Sequence, residues 1–189
     1  MTHSSNKLLT ISLITLLVIV AVVFPSCENK VNNIPKSDLK KLPAVTGKDI
    51  ETVYLDSGLL QLVMTAPLLE QYDNTAFPYS EFKSGIHVIF YDGKKEPVGS
   101  VTSKYAKFTD ADKTWELRDS VVVINESNDK LETEVLNWDQ GKDYIYTDRF
   151  VKITNEDQVI QGFGFESDSH LRNRKIKKVS AIIYFPDEE

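Results

Sequence analysis

"LETEVLNWDQGKDYIYTDRFVKI", residues 131–153, decides how this chain is read. Val, Ile, Thr, Tyr and Phe crowd into two segments, 131–138 and 143–153, with "DQGK" between them. β-Branched and aromatic residues suit a pleated, half-buried surface, and Asp, Gln and Gly supply the turn. The stretch contains no His, no Cys and no glycine-rich phosphate loop. It predicts a β-hairpin with a Trp against its core and no visible chemistry.

The same texture runs outward in both directions. Further strand segments fall at 50–56, 59–69, 82–91, 98–109, 114–124, 158–166 and 174–185. Between them stand "DSG", "YDNTAFP", "DGKKEP", "TDADK", "NESNDK", "NED" and "SDS". Breaks at this spacing favour an antiparallel all-β domain over alternating strands and helices. The best helical candidate, 62–72, carries Pro67 in its middle, which suits a strand kinked at an edge or bulge. "WELRDSVVVI" (115–124) also aligns with "YIYTDRFVKI" (144–153), Asp119 on Asp148, at an offset of 29 residues. Looser rounds at 63–90 and 160–183 extend this into a strand-turn-strand repeat, the pattern of a stacked β architecture.

The ends of the chain read differently. Lys7 precedes an apolar run from Leu8 to Phe24, followed by Pro25, Ser26 and Cys27. Residues 1–27 are expected to be either a signal peptide with an acylated Cys27 or a membrane anchor. As a helix the run would span about 26 Å, close to the ~30 Å of a bilayer core. Both alternatives tether the rest outside the cytoplasmic membrane. Residues 28–47, with two prolines and three asparagines, are expected to be a linker, leaving 48–189 as one β-domain. Cys27 is the single cysteine, so no internal disulfide forms and packing must hold the fold. With 28 carboxylates against 22 Lys and Arg, the net charge of −6 argues against a general nucleic-acid binder.

Several strands carry apolar residues on both alternating sets. Ile86, Val88 and Phe90 oppose Ile89 and Tyr91, and Val179, Ala181 and Ile183 oppose Ile182 and Tyr184. An ordinary sandwich core explains most of this, and an apolar groove for lipid chains is the alternative. Catalytic patterns are missing: there is no GxSxG elbow and no HExxH. "GFGFES" (162–167) reads as glycines at a bulge rather than a dinucleotide loop. His87 and His170 stand alone, and Asp110/Asp112 and Glu132/Glu134 read as solvated pairs. The run Arg172, Arg174, Lys175, Lys177, Lys178 reads first as a solvated strand face guarding an edge, and second as a contact for phosphate-bearing headgroups or an acidic partner.

Three stretches give the chain a family likeness: "TAPLLEQYD" with Ala66 and Tyr72, "LETEVLNWDQGKDYIYTD" with Leu136, Trp138, Asp139, Ile145, Thr147 and Asp148, and "IQGFGFESDSHL" with Gly162, Gly164, Phe165, Asp168 and Leu171. Over about 50–185 the chain resembles the LptC family, the membrane-tethered periplasmic component of lipopolysaccharide export, with its OstA-like relatives. The resemblance implies a folded-over antiparallel sheet, a twisted β-jelly roll or β-taco, whose inner faces shelter acyl chains. It implies no cofactor and no enzymatic activity. It also implies partners: lipopolysaccharide, the inner-membrane ABC transporter (LptB, LptF, LptG) and the periplasmic bridge protein LptA, joined by strand addition at open edges. Within that frame the expected lipid-contact residues are Ile86, Val88, Val121, Val123, Tyr146, Phe163 and Phe165, with Cys27 as the lipid attachment. The competing readings are a structural or adhesive envelope β-lipoprotein and a hydrolase of envelope glycans or lipids.

Overall fold

The computed structural model describes residues 42–93 and 96–184, and the expected signal or anchor at 1–27, with Cys27, lies outside them. Within them are eleven strands: β1 (Val45–Asp56), β2 (Leu59–Tyr72), β3 (Tyr79–Phe82), β4 (Ile86–Tyr91), β5 (Pro97–Ser103), β6 (Tyr105–Thr109), β7 (Thr114–Ile124), β8 (Lys130–Asp139), β9 (Tyr144–Thr154), β10 (Gln158–Ser167) and β11 (Lys175–Tyr184). All pair antiparallel in one sheet. β3 and β4 both pair β2, and β5 and β6 both pair β7, so each couple is one long strand interrupted in its middle. The chain therefore runs up and down as a simple meander, with β1 and β11 as its two outermost strands.

The interruptions line up. β4 follows β3 after a break at Gly85, whose φ is +85°, and β6 follows β5 after Lys104. β7 carries a bulge at Asp119 and Ser120, both at positive φ, and β8 and β9 shift register between Thr133 and Asn137. β10 is bulged at Gly164, φ +73°, and β10 and β11 shift again beside Gly162. A bulge bends its strand, so a column of bulges is a crease across the sheet. Buried hydroxyls hold the crease where side chains must meet freed backbone. The Thr133 hydroxyl donates to the Phe150 carbonyl at 2.8 Å, and the Thr147 hydroxyl accepts from the Arg149 N–H at 3.1 Å.

Two facts establish that the sheet closes on itself along this crease. First, one face is buried although no helix among the described residues covers it: Ala66, Phe82, Ala106, Leu117, Leu131, Leu136, Ile145, Val151 and Phe165 share one core. Second, opposite ends of the strands touch. The β7–β8 turn (125–129) and the β10–β11 loop (168–174) lie at opposite ends of strands that would span roughly 33 Å if straight. Yet Arg172 pairs with Glu126 at 2.9 Å and Arg174 with Asp129 at 2.8 Å. Only bent strands allow that, and the all-β folded-over architecture is thereby observed.

Three details differ from the sequence reading. β1 begins at Val45, so the last residues of the expected 28–47 linker are already sheet. Pro67, expected at an edge or bulge, lies in an interior strand: β2 has β1 on one side and β3 and β4 on the other. It falls where β2 passes from β4 to β3, beside the crease. The repeat between β7 and β9 has an offset of 30, not 29. Their burial then matches, with Leu117 over Thr147, Val121 over Val151 and Val123 over Ile153 all inward. Matching Asp119 to Asp148 was a one-residue slip, and in a strand such a slip exchanges the faces.

Candidate functional site

The inner face is built from rows of side chains that cross the sheet at right angles to its strands. One row runs Met64–Val88–Val101–Val123–Leu131–Ile153–Ile160–Ile182, each residue opposite the next in the pairing register. All eight are apolar, from β2 to the far edge of the sheet. A second row nearer the crease runs Val121–Thr133–Val151–Gly162–Val179. Gly162 is required there: a Cβ on it would lie 2.5 Å from Ile176 Cγ2 and from the Lys178 carbonyl. The missing side chain lets Ile176 close over the row.

In the middle of the sheet these rows are sealed. At the β11 end they emerge, and Val179 and Ile182 are 53% and 46% exposed. There a cavity of about 310 Å³ opens between the two layers, lined by Ile153, Ile160, Ile176, Val179 and Ile182, with Asn155, Gln158 and Arg174 at its rim. That volume is at the low end for small-ligand sites, and the lining is mostly hydrocarbon, as such sites require. β11 itself pairs only with β10, so among the described residues its outer edge is open. At the opposite end β1 pairs only with β2, and Val53, Tyr54, Leu55 and Leu59 stand exposed around that hairpin's tip.

Of the seven residues expected to contact lipid, five share this interior: Ile86, Val88, Val121, Val123 and Phe165. Tyr146 and Phe163 do not. Tyr146 stacks on Tyr144 at 5.3 Å and Phe163 meets Phe150 edge-on at 5.3 Å, both on the outer face. Phe163 and Phe165 differ by two and would share a face in a regular strand. The Gly164 bulge between them turns one out, 52% exposed, and the other in, fully buried. The seven therefore cannot form one lining.

The outer face is polar and ordered. Across it runs Glu81–Lys107–Glu116–Asn137–Tyr146–Glu166–Lys175. A second depression of about 330 Å³ lies on this side, among Lys107, Asp112, Glu116, Asn137 and Tyr146, and its lining does not suit hydrocarbon. Lys83 pairs with Glu70, which holds the Glu70 carboxyl below the usual range. The carboxylates weighed as acid and base are scattered: Asp110 and Asp112 are exposed in a turn, and Glu132 is engaged by Lys130 at 2.9 Å. His87 and His170 are exposed and far apart in the chain. Among the described residues no cluster could hold a metal ion, and no helix is long and apolar enough to cross a membrane.

Three residues of the basic run form ion pairs. Arg172 and Arg174 reach across to the 125–129 turn, and Lys177 pairs with Glu166 at 2.6 Å on the outer face. The residues that sequence reasoning passed over are the partners in this contact. Asp129 is nearly buried, and Leu171 is 1% exposed in an otherwise polar loop. The Asx turns at Asn125 and Asp168 were the available signal, since short polar side chains that bind nearby backbone mark rigid turns. The Asp168 carboxylate accepts from the N–H groups of His170, Arg172 and Asn173 and from the Asn173 amide at 2.7 Å. Burial works to raise that carboxyl, and these donors outweigh it and hold it below the usual Asp range.

A family model described as "Lipopolysaccharide-assembly, LptC-related" matches residues 11–184, most of the chain. No curated protein matches it.

Proposed function

Because this chain belongs to the LptC family of lipopolysaccharide-assembly proteins, we propose that it is a non-enzymatic carrier of lipopolysaccharide on the periplasmic side of the inner membrane. A separate ABC transporter, LptB with LptF and LptG, lifts the lipid from the bilayer. This chain shelters its acyl chains between the two layers of the sheet and passes them to a bridge protein, LptA. The tether is an acylated Cys27 or an N-terminal helix. No covalent bond is made or broken.

One observation carries this reading. An unbroken apolar row crosses eight strands and surfaces beside an unpaired strand edge. Burial of hydrocarbon is worth about 25 cal/mol per Å², so such a row is a continuous low-energy path for a chain that water rejects. At the same edge, β11 offers free backbone groups to a partner strand, which extends the sheet and the path together. Ile86, Val88, Val121, Val123 and Phe165 form the wall, and Val179 and Ile182 the exit.

The test places a photo-reactive residue at Val179, Ile182, Val123 or Ile86 in the full-length chain, in cells exporting lipopolysaccharide. Tyr146 and Phe163 serve as outer-face controls. Adducts with lipopolysaccharide are expected from the inner positions, strongest at Ile182, and not from the controls. Silence at every inner position, or equal labelling on both faces, removes the proposal.

A further inference from the structure

The mouth at β11 is small for a lipid with several chains, and the middle of the slot is packed shut. The geometry points to a clasp between the 125–129 turn and the 168–174 loop that must part for the slot to fill along its length. The inference rests on the carrier reading above and adds how the slot is closed.

The two segments are the facing lips of the folded sheet. Each is rigid within its own layer. In the upper lip, the Asn125 side-chain oxygen accepts from the Ser127 and Asp129 N–H groups at 3.0 and 2.9 Å. In the lower lip, Asp168 gathers the loop around itself, and the Ser169 hydroxyl bonds Asp143 in the neighbouring turn of the same layer. Between the lips the contacts are of another kind. They are Arg172 to Glu126 at 2.9 Å, Arg174 to Asp129 at 2.8 Å, and the Asn125 amide to the His170 carbonyl at 3.4 Å. Among the described residues no backbone-to-backbone hydrogen bond joins them. The lips can therefore separate without breaking a rung of the sheet.

One apolar side chain completes the closure. Leu171, at φ +58°, turns inward from the polar loop and joins the core cluster. A leucine in the left-handed region is strained, and such residues persist where the surroundings hold them. Here the Asp168 carbonyl accepts from the Leu171 N–H at 3.1 Å and the core takes its side chain, so the leucine ties the lower lip to the interior. Arg174 also lines the mouth, so filling the mouth and releasing Asp129 draw on the same guanidinium. The pairs differ in exposure, with Arg172 and Glu126 open to solvent and Asp129 almost buried. The outer pair is thus the place to perturb the clasp without disturbing the core.

The experiment is a charge swap in the full-length chain: Glu126→Arg, Arg172→Glu, and both together. The gap between the lips is read by pulsed electron-spin distances from labels carried on non-canonical amino acids at Ser127 and His170. Loading is read as the rate of uptake of purified lipopolysaccharide. Each single variant is expected to add a second, longer distance and to load about fivefold faster, and the double variant to restore both. Unchanged distances in the single variants overturn the clasp. Longer distances with unchanged loading overturn its role as a gate and leave the carrier reading standing. Uptake by no variant removes the carrier reading, and the distances alone then decide whether the lips part.

Discussion

The same row of residues meets opposite fates at its two ends. Leu131 and Ile153, in the middle of the sheet, are sealed, and Ile182 of the same row lies half exposed on β11. The residue types are alike and the pairing is continuous. What differs is what lies above: the middle strands face the other layer of the fold, and β11 faces the open end. Burial here is a property of position across the sheet rather than of the side chain, and a buried row that reaches an edge becomes a mouth.

The largest expected effect tests the inward and outward assignment at the crease. Phe165→Ala should cost about 3–5 kcal/mol, because it empties a fully buried site. Phe163→Ala, two residues away and exposed, should cost under about 1 kcal/mol. Urea denaturation of the two variants decides it, and equal losses would break the picture of Gly164 as the residue that parts their faces. Next comes the row itself. Leu131→Ala should lose about 2–5 kcal/mol, and Ile182→Ala should barely move the midpoint while lowering lipid retention. If both destabilise alike, the β11 end is core and not mouth.

The smallest effect sharpens the account of the lips. The folded Asp168 carboxyl is held below its unfolded value, so its contribution is complete above that value and is lost as pH falls through the folded one. The 168–174 loop should therefore loosen below about pH 4, before the β7–β9 core melts. Amide exchange at Arg172 and Asn173, compared with Val151, measures the order of events. Loss of both sets together would tie the loop to the core.

Much of this was legible in the residues. The β-branched runs and their Asp, Asn and Gly breaks gave nearly every strand, and β7 falls where expected, at Thr114–Ile124. Five of the seven residues expected to contact lipid face the interior: Ile86 and Val88 alternate in β4, Val121 and Val123 follow the bulge in β7, and Phe165 follows a bulge glycine. Phe163 and Tyr146 face outward for different reasons. The Gly164 bulge exchanges the faces between Phe163 and Phe165 without leaving a mark in hydropathy. Tyr146 points out by plain alternation, because Ile145, Thr147, Val151 and Ile153 are the buried set of β9. The clasp was illegible for a different reason. Glu126 and Arg172 stand 46 positions apart, and nothing local to either one indicates the other.

Local side-chain shape and turn chemistry, written along the chain, were enough to dictate strands, the turns between them and an antiparallel all-β class. Each is a matter of a few neighbouring residues and the backbone angles they tolerate. Where the sheet bends, which face of each strand goes inside, and which two turns become facing lips were settled in three dimensions. Those outcomes depend on breaks and bulges aligned across neighbouring strands and on contacts between distant ends, and a bend has no consequence until the layers meet.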